Sequence, residues 1–321
     1  MESPNRKAVV IQLVRKPQII PRSEHGISRT DISENALKVL YRLKNAGYGA
    51  YLVGGGVRDL LLGLRPKDFD IATDARPEQV RELFRNCRLI GRRFRLAHVH
   101  FGREIVEVST FRASHNDAIA GEGHEEDGRI IRDNVYGKLD DDVWRRDFTV
   151  NALYYNIEDD SVVDYVGGIQ DIQNRQLRLL GIAEDRYRED PVRMLRAVRF
   201  SIKLDFAIHP VSEQPIRELA SLLEDIPTAR LFEEFLKLFM SGHSAETYRR
   251  LREYGLFAML FPQTEALFDH NNEFIQNLLL STFRNTDKRL AEDKPVTPAF
   301  LLAALLWVPV RNLANDHESN G

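Results

Sequence analysis

The spacing of apolar residues divides the chain into a first part with strands and a second part with helices. Short apolar runs that end at glycine, such as residues 51–53 before Gly54, predict buried strands. Alternating apolar positions over residues 97–101 and 104–110 predict a β-hairpin that turns at Gly102-Arg103. From about residue 180 onward, the apolar residues recur at helical intervals. The pattern therefore predicts an α/β region followed by an all-α region.

Residues 51–70 combine a glycine turn with two closely spaced aspartates. Three consecutive glycines begin at Gly54, and an extended segment further on carries Asp68, Phe69 and Asp70. Because side chains alternate between faces in an extended segment, we expect both carboxylates on one face and Phe69 in the core. Two neighbouring carboxylates repel each other unless a cation lies between them, and oxygen ligands favour Mg²⁺. The segment therefore predicts a magnesium site.

The glycine turn further predicts that a phosphate group binds beside the magnesium site, because glycine lets the backbone approach phosphate oxygens closely. Ordinary turn glycines beside surface aspartates are the simpler interpretation, but their combination within twenty residues favours a magnesium–nucleotide site. The segment lacks Gly-x-Gly-x-x-Gly and Gly-Lys-Ser/Thr, which argues against a Rossmann dehydrogenase and a P-loop ATPase. Glu107 lies on the predicted strand 104–110 and is a candidate for a further carboxylate at this site.

Composition restricts the setting of such a site. The chain has 321 residues, a net charge of −3 and one cysteine, Cys87, which excludes an internal disulfide and suits a reducing cytoplasm. The longest apolar run, residues 300–310, is too short to cross a bilayer, so we expect a core helix and no membrane association. Between residues 81 and 112, every positive charge is an arginine, which favours phosphate recognition over a merely solvated face.

A second informative segment lies in the helical part. Asp190 and Arg193 place a hydrogen-bond acceptor and a donor about one helical turn apart. Adenine and cytosine each present an amino donor beside a ring acceptor, whereas guanine and uracil present the reverse order. The pair would therefore accept A and C and reject G and U, because a wrong base leaves buried polar groups unpaired. Arg193, Arg196 and Arg199 recur every three residues, and a solvated helix face is the alternative interpretation.

Four motifs together resemble the bacterial poly(A) polymerase and tRNA CCA-adding enzyme family, on the class II side of the nucleotidyltransferases. In chain order they are Gly54-Gly55-x-Val57-Arg58-Asp59, Asp68-x-Asp70, Arg145-Arg146-Asp147-Phe148-Thr149-x-Asn151 and Glu189-Asp190-Pro191-Val192-Arg193-x-Leu195-Arg196-Ala197-x-Arg199-Phe200. The resemblance covers about residues 30–265. It implies an α/β nucleotidyltransferase head with a palm-like mixed sheet, followed by an all-α neck and a partial body.

Three segments are similar to the poly(A) polymerase branch rather than the CCA-adding branch of the family. They are residues 89–99, residues 226–234 and residues 27–33. We therefore expect template-independent transfer of AMP from ATP to RNA 3′ ends, with release of pyrophosphate. CCA addition to tRNA is the alternative. An inactive RNA-binding adaptor is a remote one, since Asp68 and Asp70 are both present.

The resemblance also implies roles for individual residues. Asp68 and Asp70 would hold two Mg²⁺ ions, for which Mn²⁺ can substitute, and Asp147 would be a third catalytic carboxylate, with Glu107 as its competitor at the metals. The nucleotide-binding set is Gly54, Gly55, Arg58, Arg112, Arg146, Asn151, Asp190, Arg193 and Arg196. Within it the glycines and Arg58 would contact the triphosphate. The RNA-binding set is Arg92, Arg93, Arg95 and Arg199.

The expected organisation has four regions. They are an irregular extension at residues 1–30, the catalytic head at 31–178, a base-reading and RNA-binding neck at 179–265, and a truncated start of the body at 266–321. The polar end after residue 311 lacks the basic tail that poly(A) polymerases generally carry. Expected partners are ATP, RNA 3′ ends and the RNA-decay machinery, in the cytoplasm.

Overall fold

An eight-stranded mixed sheet forms the centre of residues 1–174, the first of two compact units. The computed structural model describes residues 16–91, 95–113, 125–126, 129–130, 136–270 and 273–319. The strands of this sheet are β1 (Gln18–Ile20), β2 (Ala50–Val53), β3 (Asp70–Thr73), β4 (Cys87–Ile90), β5 (Leu96–Phe101), β6 (Glu104–Thr110), β9 (Leu153–Asn156) and β10 (Val162–Asp164). A separate pair consists of β7 (Glu125–Glu126) and β8 (Arg129–Ile130).

The strand order is β1-β10-β9-β2-β3-β6-β5-β4, which makes β3 central. β2 runs antiparallel to β3, with Val53 opposite Asp70, whereas β6 runs parallel to β3, with Glu107 opposite Asp70. The predicted hairpin is confirmed, because β5 and β6 pair through Phe101 and Glu104 on either side of the Gly102-Arg103 turn. The end of β2, the start of β3 and the middle of β6 therefore lie side by side in the sheet.

The aspartate segment differs slightly from the expectation. Strand β3 begins only at Asp70, so Asp68 lies in the segment before it, because pairing with β2 ends at the Val53–Asp70 level. The predicted alternation nevertheless holds: Phe69 is buried, while Asp68 and Asp70 are accessible to solvent.

Among the described residues of the first unit, five α-helices accompany the sheet. They are α1 (Glu34–Asn45), α2 (Gly55–Leu61), α3 (Pro77–Leu83), α4 (Leu139–Trp144) and α5 (Gly168–Gln173). The Ser33 side chain caps α1 by accepting a hydrogen bond from the Ala36 amide, and Val39, Leu40 and Leu43 are fully buried. An amphipathic helix thereby covers part of the sheet, as its apolar spacing predicts.

The second unit, residues 175–321, is helical apart from one short strand pair. Its helices are α6 (Ala183–Glu189), α7 (Val192–Leu204), α8 (Pro210–Leu219), α9 (Thr228–Phe239), α10 (Ser244–Glu253), α11 (Leu256–Leu260), α12 (Pro262–Glu265), α13 (Glu273–Ala291) and α14 (Pro298–Ser319). The parallel pair of β11 (Gln176–Leu177) and β12 (Ala207–Ile208) was not expected in an all-α region. Two-residue strands are too short to give an alternation pattern.

Helix α14 packs on one face only. Leu301, Leu305 and Val308 are buried, and the Leu305 carbonyl accepts a hydrogen bond from Thr264 in α12, whereas Trp307 and Val310 are exposed. The expected core helix is thus half-buried. Residues 298–315 form a segment that is long and apolar enough to cross a membrane, and 22% of this segment is buried inside the structure. A single such helix is weak evidence, because core helices of soluble proteins pass the same test.

A hydrogen-bonded turn holds α5 against the motif that contains Asn151. Asp164 accepts hydrogen bonds from the amides of Val166, Gly167 and Ile169, at 2.8–2.9 Å. The Thr149 hydroxyl donates to Asp171 in α5 at 2.7 Å. The backbones come so close here that a Cβ on Gly168 would lie 2.4 Å from the Thr149 carbonyl oxygen.

This close approach predicts that Gly168→Ala destabilises the protein. The added methyl group meets backbone rather than a flexible side chain, so overpacking should cost about 2 kcal/mol or more of unfolding free energy. Gly26→Ala is the matched control, because nothing lies within 4 Å of a Cβ at Gly26. Urea unfolding of both variants measures the difference, and equal midpoints would contradict the prediction.

Candidate active site

The glycine turn lies where β2 meets α2. Gly54 adopts the left-handed backbone conformation, with φ of 71°, and α2 starts at the next residue. A Cβ on Gly54 would lie 3.3 Å from Nη1 of Arg146, so the absence of a side chain lets this guanidinium approach the turn. Two predicted nucleotide-binding residues, Gly54 and Arg146, are therefore neighbours.

Three acidic side chains surround the start of β3. Burial raises the pKa of Asp70 to about 6, the charges of Glu107 and Asp68 act in the same direction, and the charge of Arg146 opposes them. The surrounding protein therefore partly desolvates the carboxyl group, although solvent still reaches the residue. His98 on β5 lies 3.2 Å from Glu107 through Nε2 and Oε2. The cluster is crowded with negative charge that a cation would neutralise.

Glu107 and Asp147 differ in their surroundings. Glu107 is in register with Asp70 across the parallel β3–β6 pair. Asp147 instead accepts hydrogen bonds within its own motif, from the Phe148 amide at 2.8 Å and from Asn151 Nδ2 at 3.2 Å. The sheet thus aligns Glu107 with Asp70, and strand alternation was the signal that predicted it.

An all-oxygen carboxylate set fits a divalent cation of the Mg²⁺ type. The raised pKa of Asp70 agrees with this fit, because burial is its main cause and the negative charges of Glu107 and Asp68 add to it. Among the described residues, no group of three or more His, Cys, Asp or Glu side chains is arranged closely enough to hold an ion by itself. Water and nucleotide phosphates commonly complete the shell of Mg²⁺.

Arg58, which is expected at the triphosphate, is bound to side chains of the protein itself. Its side chain is nearly fully buried and donates to Asp59 Oδ1 at 2.6 and 2.9 Å and to Asn151 Oδ1 at 2.5 Å. It therefore links α2 to the Thr149–Asn151 turn from within the protein. The sequence contained no signal for this burial, because Asn151 lies 93 residues away.

Arg146 is held by two residues that the sequence did not single out. Its Nε donates to the Tyr154 hydroxyl at 2.7 Å, and its Nη2 donates to Asp142 Oδ2 at 3.1 Å. The Tyr154 hydroxyl in turn donates to the same Asp142 oxygen at 2.7 Å. Asp142 is one of three consecutive aspartates, and its position in the sequence does not distinguish it from the other two.

The remaining arginines predicted in the head lie elsewhere or are not described. Arg95 is exposed and donates to Glu78 at 2.6 Å, and Arg112 forms a backbone bridge with Tyr136. Arg92 and Arg93 lie outside the described residues.

In the second unit, Asp190 and Arg193 occupy the junction of α6 and α7 but bind different partners. Asp190 Oδ2 accepts a hydrogen bond from Arg230 at 2.8 Å. Nη1 of Arg193 donates to Glu189 at 2.8 Å and to the Arg186 carbonyl at 2.7 Å. Although burial alone would raise it, the bonds and charges of Arg193 and Arg186 lower the pKa of Glu189. Arg230 was missed because it lies 40 residues from Asp190.

The arginine stripe on α7 is half-buried rather than fully solvated. Both Arg196 and Arg199 place their guanidinium groups against the Phe200 ring, at 5.3 and 4.8 Å from its centroid. Such contacts hold the cations at a fixed position on the helix.

Family models match both units: "Poly A polymerase head domain" over residues 50–178 and "Probable RNA and SrmB- binding site of polymerase A" over residues 205–268. Poly(A) polymerase I of Haemophilus influenzae is 52% identical over 309 residues, covering 94% of this chain and 68% of that protein. The chain belongs to the bacterial poly(A) polymerase branch of the tRNA nucleotidyltransferase family. Poly(A) polymerase I of Salmonella typhimurium is 56% identical over 315 residues.

The match to the Salmonella poly(A) polymerase covers 94% of this chain but 66% of that relative, so the chain spans slightly less than two thirds of its length. A solved CCA-adding enzyme of Bacillus stearothermophilus, in complex with CTP, is more distant at 38% identity. Its TM-score is 0.58, over 69% of this chain and 52% of the CCA-adding enzyme. The poly(A) polymerase family generally uses divalent metal ions.

The crowded carboxylates predict that Asp70→Asn stabilises the metal-free protein. Because the folded-state pKa of Asp70 is raised to about 6, ionisation of this carboxyl costs stability progressively as the pH rises from about 4, its ordinary pKa, to about 6. The full cost is present above that pH. In EDTA at about pH 8, we expect a melting temperature about 3 °C higher than in wild type, with the difference vanishing near pH 4.

Glu82→Gln, which neutralises an exposed carboxylate on α3, is the control for the loss of one negative charge. A melting temperature at or below the wild-type value for Asp70→Asn at about pH 8 would show that the cluster is not under electrostatic stress.

Proposed function

We propose that the protein adds AMP from ATP to RNA 3′ ends without a template and releases pyrophosphate. The observation that carries this proposal is the carboxylate cluster of Asp68, Asp70 and Glu107 beside the Gly54 turn and Arg146. The site combines carboxylates that can bind divalent cations with the positively charged guanidinium group of Arg146, which lies beside the glycine turn. Phosphoryl transfer needs both, since its catalysis consists mainly of positioning and charge neutralisation.

In the proposed reaction, the RNA 3′-oxygen attacks the α-phosphorus of ATP and forms the new P–O bond. The bond between the α-phosphorus and its bridging oxygen breaks, its electron pair leaves with pyrophosphate, and the hydroxyl proton passes to water. Asp68 and Asp70, with Glu107 as the third carboxylate, would hold Mg²⁺ or Mn²⁺. When bound, these ions would activate the hydroxyl group and neutralise the triphosphate.

The residues around the cluster have distinct proposed roles. Gly54 and Gly55 let the phosphates approach the backbone, and Arg146 supplies the neighbouring positive charge. Asn151 and Arg58 hold the two sides of this site together through their mutual hydrogen bond. Asp147 orients Asn151 by accepting its amide hydrogen bond.

Base choice is proposed for the junction of α6 and α7. Asp190 can accept further hydrogen bonds besides that from Arg230, because a carboxylate has about four acceptor sites. Arg193 uses Nη1 for Glu189 and the Arg186 carbonyl, and among the described residues Nε and Nη2 have no hydrogen-bond partner, so both can serve a base acceptor. This arrangement suits adenine or cytosine. The higher identity to poly(A) polymerases than to the CCA-adding enzyme favours adenine.

RNA contact is proposed for the exposed Arg95, for Arg92 and Arg93, and for the half-buried Arg199 on α7. The location is proposed to be cytoplasmic and without membrane insertion. A link to the RNA-decay machinery stays a prediction.

An extension assay tests the proposed reaction. A labelled RNA oligonucleotide without tRNA features is incubated with Mg²⁺ and each nucleoside triphosphate separately, and a tRNA lacking its terminal CCA is run in parallel. We expect efficient AMP addition to the oligonucleotide and little CMP addition. The double variant Asp68→Ala/Asp70→Ala should lose at least about 100-fold in rate, because it removes the cation site, while the Glu82→Gln control keeps the wild-type rate.

Two outcomes would overturn the proposal. Efficient CMP addition to the tRNA with little AMP on the oligonucleotide identifies a CCA-adding enzyme instead. RNA binding without incorporation of any nucleotide identifies an adaptor.

Asp190→Asn should alter base choice without removing the catalytic cluster. The amide offers a donor where the carboxylate offers only acceptors, so the preference for ATP over GTP and UTP should fall by about tenfold or more. Glu246→Gln, which makes the same charge change on the exposed surface of α10, is the matched control. Unchanged nucleotide preference in a normally folded Asp190→Asn variant would contradict the base-reading role.

A further inference from the structure

Arg146, Tyr154 and Asp142 form a closed triangle of hydrogen bonds inside the head. Arg146 donates to both partners, and the Tyr154 hydroxyl donates to the Asp142 oxygen that also accepts from Arg146. Tyr154 is fully buried and Asp142 is 8% exposed. Burial, reinforced by Asp142, raises the pKa of the Tyr154 hydroxyl far above its usual range, so the group stays protonated.

The triangle determines which edge of the guanidinium faces the glycine turn. Nε and Nη2 of Arg146 point to Tyr154 and Asp142, and the guanidinium carbon lies 4.9 Å from the centre of the Tyr154 ring. Nη1 therefore lies on the side of Gly54, 3.3 Å from where a Cβ would be, and 3.4 Å from the Asn151 carbonyl oxygen.

A free arginine side chain samples many rotamers, and holding it in one of them costs conformational entropy. If that cost is met during folding, it does not weaken nucleotide binding. The triangle fixes the rotamer of Arg146 when the protein folds, because burial in the head fixes both of its partners, Tyr154 and Asp142.

We propose that Tyr154 and Asp142 are positioning residues, which orient Arg146 toward the triphosphate of the incoming nucleotide at the Gly54 turn. The inference rests on the proposed function, because it concerns the same site. Neither residue is expected to touch the substrate, and both act through Arg146. Their loss should weaken binding of the polyphosphate portion and leave the adenosine portion unaffected.

The adjacent residue supplies a matched control. Tyr155 is 1% exposed, and its hydroxyl donates to Asp160 at 2.6 Å. Asp160 also accepts a hydrogen bond from Arg29 at 2.7 Å, so this tyrosine belongs to a second Tyr–Asp–Arg cluster. Because neighbouring residues of β9 point to opposite faces of the sheet, the two clusters lie on opposite sides of it.

The test compares Tyr154→Phe with Tyr155→Phe in the full chain. Both variants lose one buried hydroxyl group and leave an aspartate with one bond fewer, so a similar drop in melting temperature is expected for each. We expect the KM for ATP to rise about fivefold in Tyr154→Phe, with kcat within about twofold of wild type. Tyr155→Phe should keep the wild-type KM.

Inorganic tripolyphosphate and adenosine serve as probes of the two halves of the nucleotide. The stabilisation of the protein by tripolyphosphate, measured as a shift in melting temperature, should shrink in Tyr154→Phe and not in Tyr155→Phe. Competitive inhibition by adenosine should be equal in both variants. Asp142→Asn should reproduce the tripolyphosphate effect, which keeps the inference testable if Tyr154→Phe fails to fold.

The inference is overturned if both tyrosine variants change the KM for ATP and the tripolyphosphate shift equally, or if neither variant changes them. A purely structural role would produce that result. Failure of the proposed function would look different, because the wild-type protein would then add little or no AMP to the RNA oligonucleotide. The tripolyphosphate shift does not depend on activity and would still report whether Tyr154 orients Arg146.

Discussion

The parallel pairing of β3 with β6 is the constraint on which the site in the head depends. It places Glu107 beside Asp70, while antiparallel pairing with β2 places Val53 on the other side, one residue before the glycine turn. This register brings together carboxylates that repel one another, and their charges add to the effect of burial in raising the pKa of Asp70. The pairing of the surrounding buried strands must therefore keep these carboxylates together against their electrostatic repulsion. Local destabilisation of this kind is common where function requires a particular charge.

Two arginines supply positive charge in the same region: Arg58 is nearly fully buried, whereas 21% of the Arg146 side chain is exposed. Arg58 and Arg146 each have carboxylate partners, Asp59 and Asp142, and a buried cation without such a partner would be strongly destabilising. Their polar partners also restrict the side chains to single orientations. The rigid network extends to α5, where Thr149 binds Asp171, so the motif that carries Arg146 is held from several directions.

The helical unit uses arginines differently. At the junction of α6 and α7, Arg193 and Arg230 bind neighbouring acids, and the groups retain further hydrogen-bonding capacity. Arg196 and Arg199 lie against the Phe200 ring instead. One face of α7 thereby presents oriented donors while its apolar face is buried. Such a surface suits recognition of polar planar groups better than an evenly solvated helix would.

The sequence by itself determined the local elements: the hairpin at Gly102-Arg103, the burial of Phe69 and the strand position that made Glu107 a candidate. These depend on periodicity and on neighbours a few residues apart. Only the tertiary structure decided which charged residues bind each other. Arg58 with Asn151 and Asp190 with Arg230 are 93 and 40 residues apart, and Tyr154 joins Asp142 from a different element. Periodicity predicts which face a side chain takes, but the partner of a polar group depends on how separate elements pack together.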